Sequence, residues 1–280
     1  MSKVVLITGC SAGIGRDLAQ RLTQAGYTVV ATARKTETLD DLSAALKLQL
    51  DVSKQDSINN AVSQTLKQFG RIDVLVNNAG YALLGALEEV CDEQVQRMFD
   101  VNVFGVLRMI RAVAPHMRKQ KAGRIINISS IAGKLSTPVN GTYSATKFAL
   151  EALSDALRLE LAPFGIQVVL VEPGAIKTHF DDTAQIYAQS ILSNPASPYQ
   201  PHYKQSDQFA ANMRQSEPGP DVVSQAIQLA METSNPKARY LAAIPFSGRL
   251  VMHLRDFVWD FALRRMFNIQ ETAFSENLSD

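Results

Sequence analysis

The 280 residues carry a formal net charge of +1, from 28 Lys and Arg against 27 Asp and Glu, and 46% of them are apolar. This length can bury one substantial hydrophobic core, and the balanced charge argues against a nucleic-acid-binding protein. Cys10 and Cys91 lie far apart, and neither they nor the four histidines show metal-ligand spacing, so the composition predicts no disulfide framework and no metal site.

The chain opens on an apolar, strand-like run at residues 3–8, with no charged leader or cleavage site before it. No later apolar run approaches the ~18–20 residues that span a bilayer. These features predict a cytoplasmic protein without a transmembrane segment.

Short runs rich in Val and Ile then alternate with longer helical patterns. Strands are predicted at residues 3–8, 27–33, 48–52, 72–78, 124–129, 166–173 and 239–244. Helices are predicted at residues 14–25, 55–69, 92–120, 142–163 and 220–233. Alternating strands and helices form parallel sheets that are covered on both faces. We therefore expect an α/β fold, a single doubly wound Rossmann domain over residues 1–280 with a parallel sheet of about seven strands.

Two segments near the end of the chain differ from this alternation. Residues 193–207 are rich in Pro, Ser and Tyr and are predicted to be irregular. Residues 248–267 carry apolar side chains at helical spacing and predict an amphipathic C-terminal helix. We favour a helix that covers the core; a substrate entrance or a peripheral membrane contact is the alternative.

The first predicted strand and helix are joined by TGCSAGIG, at residues 8–15. Gly9, Gly13 and Gly15 permit a tight turn and a close approach of a ligand to the backbone. The N-terminus of the following helix offers N–H groups and a positive dipole end, which suit a pyrophosphate. The spacing is not the usual G-x-G-x-x-G, so a purely structural turn is the alternative, but the position after the first strand favours a phosphate loop.

Arg34 and Lys35 follow the second predicted strand, and no acidic residue precedes Glu37 there. In folds of this kind an acidic residue at this place binds the ribose 2′-hydroxyl of NAD, whereas an Arg accommodates the 2′-phosphate of NADP. A guanidinium can bind a phosphate through paired hydrogen bonds. The pattern therefore favours NADP(H) over NAD(H); two exposed basic residues in a loop are the alternative.

Tyr143 and Lys147 lie four residues apart in a predicted helix, so they share one helix face. A nearby ammonium favours the phenolate and lowers the pKa of a Tyr from its ordinary value of about 10. Taken alone, this spacing favours an ordinary exposed and solvated pair, since Tyr and Lys occur four residues apart by chance on many helices. The context favours chemistry, because five predicted strands end in small or polar residues at the sheet edge where ligands of α/β proteins bind.

Four motifs, in order and at the family's spacing, make the chain resemble the short-chain dehydrogenase/reductase family over residues 3–245. They are TGxxxGxG at 8–15, NNAG at 77–80, a serine thirteen residues before YxxxK at 143–147, and PG at 173–174. The chain is most similar to the compact single-domain branch of hydroxysteroid and retinol dehydrogenases and lipid carbonyl reductases. That branch prefers bulky apolar ketones, aldehydes or alcohols.

The resemblance implies four catalytic residues. Tyr143 would act as general acid in carbonyl reduction and as base in alcohol oxidation, and Lys147 would lower its pKa and bind the nicotinamide ribose. Ser130 would donate a hydrogen bond to the substrate oxygen. Asn102 would hold a proton-relay water.

The resemblance also implies a cofactor site, in which Ser11 joins Arg34 at the 2′-phosphate. Its predicted members are Gly9, Ser11, Gly13, Ile14, Gly15, Arg34, Lys35, Asp51, Val52, Asn78, Ala79, Gly80, Tyr143, Lys147, Pro173, Gly174, Ile176 and Thr178. Residues 180–215 would form the mobile substrate lid, and the long helices at 103–120 and 142–163 would pair across a homodimer or homotetramer interface.

The expected function is therefore an NADP(H)-dependent oxidoreductase, a carbonyl reductase of lipid or steroid metabolism. A non-catalytic NADP(H)-binding redox sensor or scaffold is the alternative, although such family members usually lack the Tyr or the Lys. Enoyl reduction normally comes with a different tyrosine spacing, which this chain does not show.

Overall fold

A computed structural model describes residues 2–178, 180–214 and 217–244, together with residue 265. Its sheet has seven strands in the order β3-β2-β1-β4-β5-β6-β7, and every neighbouring pair is parallel. The strands are β1 Val4–Ile7, β2 Thr28–Ala33, β3 Leu46–Gln49, β4 Val74–Asn77, β5 Gly123–Ile128, β6 Ile166–Pro173 and β7 Arg239–Ala242. The predicted doubly wound α/β fold is confirmed.

Eight α-helices connect or cover these strands in the described part of the chain. They are α1 Gly13–Gln24, α2 Gln55–Phe69, α3 Asp92–Phe99, α4 Gly105–Gln120, α5 Gly141–Leu161, α6 Phe180–Leu192, α7 Gln200–Arg214 and α8 Asp221–Glu232. One turn of π-helix, Asp100–Phe104, links α3 to α4. Short 3₁₀ turns lie at Thr36–Leu39, Leu87–Glu89, Ile131–Gly133 and Ala162–Phe164.

Each face of the sheet has its own hydrophobic core. Leu6 faces side chains of α2, α4 and α5, whereas its neighbours Val5 and Ile7 face those of α1 and α8. All three side chains are fully buried, which contributes roughly 1.5–3 kcal/mol for each one removed from water. Apolar residues on both sides of a strand therefore hold helices against both faces, as the sequence predicts.

The largest difference from the predicted elements lies in residues 193–207. This stretch was expected to be irregular, but helix α7 begins at Gln200. Pro201 occupies the first turn, where a proline costs no intrahelical hydrogen bond. Tyr203 is buried one turn later and holds the helix against the body of the protein. The predicted C-terminal helix, residues 248–267, lies outside the described residues except for residue 265.

A buried polar chain ties β4, β5 and α5 together beneath the site. Asn77 donates a hydrogen bond to the Asn127 side chain at 2.8 Å, and Asn127 donates to Ser154 Oγ on α5 at 2.9 Å. Ser154 Oγ in turn donates to the carbonyl of Leu150 at 2.7 Å. These bonds give the amide N–H group and the carbonyl of the Asn127 side chain a partner each, and they fix α5 against the sheet.

Candidate active site

The predicted site residues converge on one edge of the sheet. Strand order reverses between β1 and β4, and the loops that follow these two strands flank the resulting crevice. The carboxyl ends of parallel strands at such a switch point are where open α/β sheets bind ligands. The loops after β2, β3, β5 and β6 begin at this same edge of the sheet, so the topology brings the separate motifs together.

The glycine loop joins β1 to α1. Gly9 and Gly13 have φ values of +75° and +59°, which favour glycine. A Cβ on Gly15 would lie 2.3 Å from the carbonyl oxygen of Gly9, so a side chain there would break the turn. Ala12 caps α1 without a side-chain hydrogen bond, which leaves the first N–H groups of the helix to an anion. Ser11 is exposed in this loop, and Ile14 packs against the core.

Thr8 fixes this loop to the end of β4. Its hydroxyl accepts hydrogen bonds from the backbone N–H groups of Asn78 and Ala79, both at 3.0 Å. The Asn78 amide donates back to the carbonyls of Thr8 and Gly9, at 2.9 and 3.0 Å. Gly80 follows, and a Cβ there would lie 3.1 Å from Asn102 Oδ1. The predicted cofactor-binding residues 78–80 thus form one rigid unit with the glycine loop.

Two loops on the β1 side of the crevice, after β2 and β3, hold the predicted adenosine-binding residues. Arg34 and Lys35 are both exposed directly after β2. Asp51 accepts hydrogen bonds from the Ser53 N–H and hydroxyl, at 2.9 and 2.7 Å. Partial burial raises the pKa of Asp51, but the Ser53 bonds outweigh this effect, so the pKa of the carboxyl lies below its ordinary value. Val52 is buried beside it.

Tyr143 and Lys147 are both buried on α5, with 9% and 7% exposure, so they are not the solvated pair that their spacing alone allowed. Lys147 Nζ donates a hydrogen bond to the carbonyl of Ile128 at 2.8 Å and lies 5.6 Å from the centre of the Tyr143 ring. Burial lowers the pKa of Lys147 to about 8, against the opposing attraction of Glu151. The ammonium is therefore fixed to the last residue of β5, close to the phenol.

Asn102 lies in the π-helical turn and is 1% exposed. Its amide donates to the Tyr81 carbonyl at 2.8 Å and accepts from the Tyr81 N–H at 3.1 Å. It also donates to Thr146 Oγ1 at 3.2 Å, and Thr146 donates to the carbonyl of Tyr143 at 2.7 Å. Single π turns of this kind are frequent at functional sites. Through its hydrogen bonds, Asn102 connects the loop after β4 to the helix that carries Tyr143.

The remaining predicted site residues are Ser130 and those at the end of β6 and after it. Ser130 caps the short turn Ile131–Gly133, and its hydroxyl accepts a hydrogen bond from the Ala132 N–H at 3.1 Å. The Gly174 N–H donates to the carbonyl of Ala242 at 2.9 Å, which fixes the chain after Pro173 to β7.

Beyond that point, Ile176 packs against the core that contains α1. Thr178 lies beside the glycine loop, since a Cβ on Gly13 would be 3.5 Å from its Cβ. The segment after β6 therefore closes one side of the crevice.

Aromatic side chains of α6 cover the site. The Phe180 ring meets the Tyr143 ring edge to face at 5.7 Å, and the Tyr187 ring lies 5.1 Å from the Tyr81 ring. These rings belong to a third apolar cluster, separate from the two cores of the sheet. Its buried non-aromatic members are Ala82, Leu83, Ala86, Val90, Met98, Ala132, Val139, Ala184, Ala188 and Ile191. The surface next to Tyr143 is thus apolar and aromatic.

Several residues of the site were not identified from the sequence. Thr8 begins the TGxxxGxG motif and could have been singled out by that position. Glu172 is a lone acid at the end of an otherwise apolar strand, and Glu151 follows Lys147 by one helical turn; both patterns are visible in the sequence. Thr146 carries no such signal, because its role depends on the π turn opposite it.

Neither a metal-ion site nor a membrane-spanning helix is found among the described residues. No three His, Cys, Asp or Glu side chains there come close enough together to hold a metal ion. Among the same residues, no helix combines the length and the apolar character that crossing a membrane requires.

Known proteins share this arrangement. The family model for short chain dehydrogenases matches residues 3–186. The 3-ketodihydrosphingosine reductase of Bacteroides thetaiotaomicron is 44% identical over 199 residues, which cover 68% of this chain and 73% of that protein. The human 17-beta-hydroxysteroid dehydrogenase type 1 is 35% identical over 268 residues, 90% of this chain and 81% of that protein.

Solved structures agree on the fold. A short chain dehydrogenase/reductase from Burkholderia phymatum in complex with NAD superimposes with a TM-score of 0.78 at 27% identity, covering 93% of this chain and 95% of that one. A metagenomic short-chain oxidoreductase in complex with NADP has a TM-score of 0.67 at 28% identity, covering 86% and 97%. These neighbours bind nicotinamide cofactors of both kinds, and the comparisons lend no support to a non-catalytic protein. The chain belongs to the short-chain dehydrogenase/reductase family and is an oxidoreductase.

Proposed function

We propose that the protein is an NADP(H)-dependent oxidoreductase that reduces the carbonyl of a bulky apolar substrate, such as a steroid, retinoid or lipid ketone or aldehyde, or oxidises the corresponding alcohol. One observation carries this proposal. The phenol of Tyr143 is buried at the carboxyl edge of the sheet, with the Lys147 ammonium 5.6 Å from its ring and an aromatic wall beside it.

The chain's own residues would move the proton and hold the oxygen. The nicotinamide cofactor, when bound, supplies or accepts the hydride. Tyr143 donates a proton to the carbonyl oxygen during reduction and takes it back during oxidation. Lys147 favours the phenolate that forms, because a nearby cation stabilises the anion. Ser130 donates a hydrogen bond to the same oxygen, and Asn102 holds the loop after β4 against α5.

The fit of the cofactor rests on the glycine loop and on Arg34. Uncapped N–H groups at the start of α1 suit the pyrophosphate, and the ionised Asp51 with Val52 suits the adenine end. Arg34 and Lys35 are exposed where a 2′-phosphate would lie, and no carboxylate occupies the end of β2 to repel it. This supports NADP(H) over NAD(H).

The apolar character of the substrate rests on α6 and α7. Phe180, Tyr187 and the aliphatic cluster beneath them would bury a large hydrophobic group next to Tyr143. The two curated relatives act, by their names, on a ketosphingoid base and on a steroid. We assign residues 180–215 as the substrate lid and infer a homodimer or homotetramer.

The test is consumption of NADPH across a panel of steroids, retinoids, long-chain aldehydes and small ketones, with wild-type protein and Tyr143→Phe. We expect turnover of apolar carbonyls by the wild type and a loss of at least about 100-fold in the variant, the usual scale for general acid catalysis. The Kd for NADPH should change less than about threefold, because the ring remains. Tyr240→Phe, on the outer strand, is the matched control; equal turnover by both variants would refute the assignment.

A further inference from the structure

Two buried carboxyl groups and two partly exposed cations form a cluster next to Lys147, which we call the carboxyl cluster. Glu151 and Glu172 are 5% and 1% exposed. Lys134 Nζ lies 2.7 Å from Glu151 Oε2 and 3.7 Å from Glu172 Oε1. Arg239 Nε lies 3.0 Å from Glu151 Oε2 and 3.1 Å from Glu172 Oε1. Each cation therefore bridges both carboxyl groups.

The carboxyl cluster joins the elements that carry the proposed catalytic residues. Lys134 follows Ser130 by four residues, at the end of the short turn after β5. Glu151 follows Lys147 by one turn of α5, so the two side chains share a helix face. Glu172 directly precedes Pro173 at the end of β6. One set of ion pairs thus spans the serine loop, the tyrosine helix, the end of β6 and, through Arg239, the start of β7.

The packing between these elements is tight. A Cβ on Gly133 would lie 3.0 Å from Glu151 Cγ, 3.0 Å from Ser129 Oγ and 3.1 Å from the carbonyl oxygen of Lys147. The serine loop therefore contacts α5 without room for a side chain. A change at Glu151 reaches this loop directly.

The surroundings of Glu172 favour its protonated form. Burial and the charge of Glu151 raise the pKa of Glu172 to about 7, although Lys134 and Arg239 pull it down. A hydrogen bond between the two carboxyl groups also raises it. Asp155 completes the surroundings, 2.7 Å from Arg239 and 2.6 Å from Arg158.

Stability alone does not account for such a cluster. Buried ion pairs are often no more stabilising than apolar side chains of the same volume, because each charge must be desolvated. The two carboxyl groups match the two cations in charge, yet both carboxyl groups are taken almost completely out of water. The position of Glu151, one helical turn after Lys147, gives the cluster a second role. The negative charge of Glu151 opposes the lowering of the Lys147 pKa by burial.

We propose that Glu151 and Glu172 are positioning residues whose carboxyl groups, bridged by Lys134 and Arg239, lock the Ser130 loop and Pro173–Gly174 against α5, and that the charge of Glu151 favours the ammonium form of Lys147. This inference rests on the proposed function, because it gives the two carboxyl groups a role toward the catalytic lysine. It adds two residues that contact neither substrate nor cofactor.

The first experiment follows the titration of Lys147 in the cofactor-free protein by NMR of ¹³C-labelled lysine. In Glu151→Gln we expect the midpoint to fall by about one pH unit, because a nearby negative charge is lost. Glu151→Asp, which keeps the charge, should stay close to the wild type. Glu160→Gln, exposed near the end of the same helix, is the matched control and should not move. Equal midpoints in the two Gln variants would overturn the proposal.

The second experiment uses Glu172→Gln, which keeps the charge on Glu151 and serves also if Glu151→Gln does not fold. With the panel compound that the wild type reduces fastest, we expect kcat to fall about tenfold while the KM for that compound changes less than twofold. A kcat equal to that of Glu160→Gln would overturn the positioning role. The Lys147 titration needs neither cofactor nor substrate. It can therefore confirm the role of Glu151 even if the Tyr143→Phe variant refutes the proposed function.

Discussion

The Lys147 side chain is buried, and burial disfavours its charged ammonium form. This side chain is 7% exposed, and burial lowers its pKa from 10.5 to about 8. Such a shift means that keeping the proton in the folded protein costs on the order of 1–3 kcal/mol at neutral pH. The hydrogen bond to Ile128 and the ring of Tyr143 recover part of that cost. A residue that weakens the fold in this way is typical of a functional site.

We therefore expect Lys147→Met to abolish turnover yet raise the melting temperature of the cofactor-free protein at pH 7. The pKa of Lys147 is lower in the folded than in the unfolded protein, so wild-type stability rises with pH between about 8 and 10.5 as the folded state releases its proton first. The variant lacks this rise and should gain about 1 kcal/mol at pH 7, or roughly 2 °C. Lys204→Met, exposed on α7, is the control for calorimetry over pH 6–10. A lower melting temperature for Lys147→Met at pH 7 would contradict the cost of burial.

At the same scale, the proposed preference for NADP(H) depends on Arg34. It is exposed at the end of β2, and the Gln49 side chain donates to its carbonyl at 3.1 Å, which fixes its backbone in place. Arg34→Ala should raise the Kd for NADPH at least about tenfold, since a charge-assisted bond to a phosphate is lost, and leave the Kd for NADH within about twofold. Fluorescence titration with both nucleotides measures this, with Arg111→Ala on α4 as control. Equal losses for both nucleotides would remove the argument for the 2′-phosphate.

The sequence motifs identified the predicted site residues, but not the groups that these residues contact in the fold. Tyr143 and Lys147 were predicted from a spacing of four, but nothing in that spacing states that both are buried or that Lys147 bonds to the carbonyl of Ile128. Contacts between residues 19 apart in the chain depend on how α5 docks on β5. The carboxyl cluster needs four elements in place, so Glu151 and Glu172 could be singled out from sequence only as acids in apolar surroundings.

Among the elements, α6 and α7 gave the weakest sequence signal and lie closest to the proposed substrate site. The Pro- and Ser-rich start of α7 predicts a loop, because propensity ignores what the helix packs against. In the structure Tyr203 donates to the Glu89 carboxylate and accepts from the Ala86 N–H at 3.1 Å. One phenol thus anchors α7 to the loop between β4 and α3.

Tyr203→Phe should loosen this helix without emptying the apolar cluster, since only the hydroxyl is lost. We expect faster amide hydrogen exchange in α7 by several-fold and a loss of about 1 kcal/mol in stability, the usual value of one such bond. Tyr27→Phe is matched, because Tyr27 also donates to a glutamate, Glu232, at 3.0 Å but far from α7 in the fold. Unchanged exchange in α7 would show that packing alone holds this helix in place.

At the scale of the whole molecule, the strand order accounts for the site. The central strands β1, β4, β5 and β6 are buried on both faces, and their carboxyl ends deliver the glycine loop, residues 78–80, Ser130 and Pro173 to one crevice. The alternation of strands and helices was sufficient to predict this arrangement. It was not sufficient to predict the shape of the substrate surface, because the residues that form it come from helices outside the alternating pattern.

The same arrangement leaves one side of α5 uncovered. Ala152, Ala156 and Leu159 follow one another at helical spacing and are exposed, Leu159 by 76%, and Phe104 is 48% exposed at the start of α4. Apolar side chains gathered on the surface of one helix favour association with another surface. The family resemblance pairs these two long helices across a two-fold interface, in which each copy would cover the other's Leu159.

We accordingly expect Leu159→Glu to convert the proposed homodimer or homotetramer to a smaller species, because two buried carboxylates would face each other across the axis without a partner. Sedimentation equilibrium at several protein concentrations gives the mass directly. Ile186→Glu, a 70% exposed apolar residue on α6, is the control and should keep the wild-type mass. A Leu159→Glu protein with the wild-type mass would exclude this face of α5 from the interface, whereas a smaller species that still binds NADPH would show that each subunit folds its cofactor site on its own.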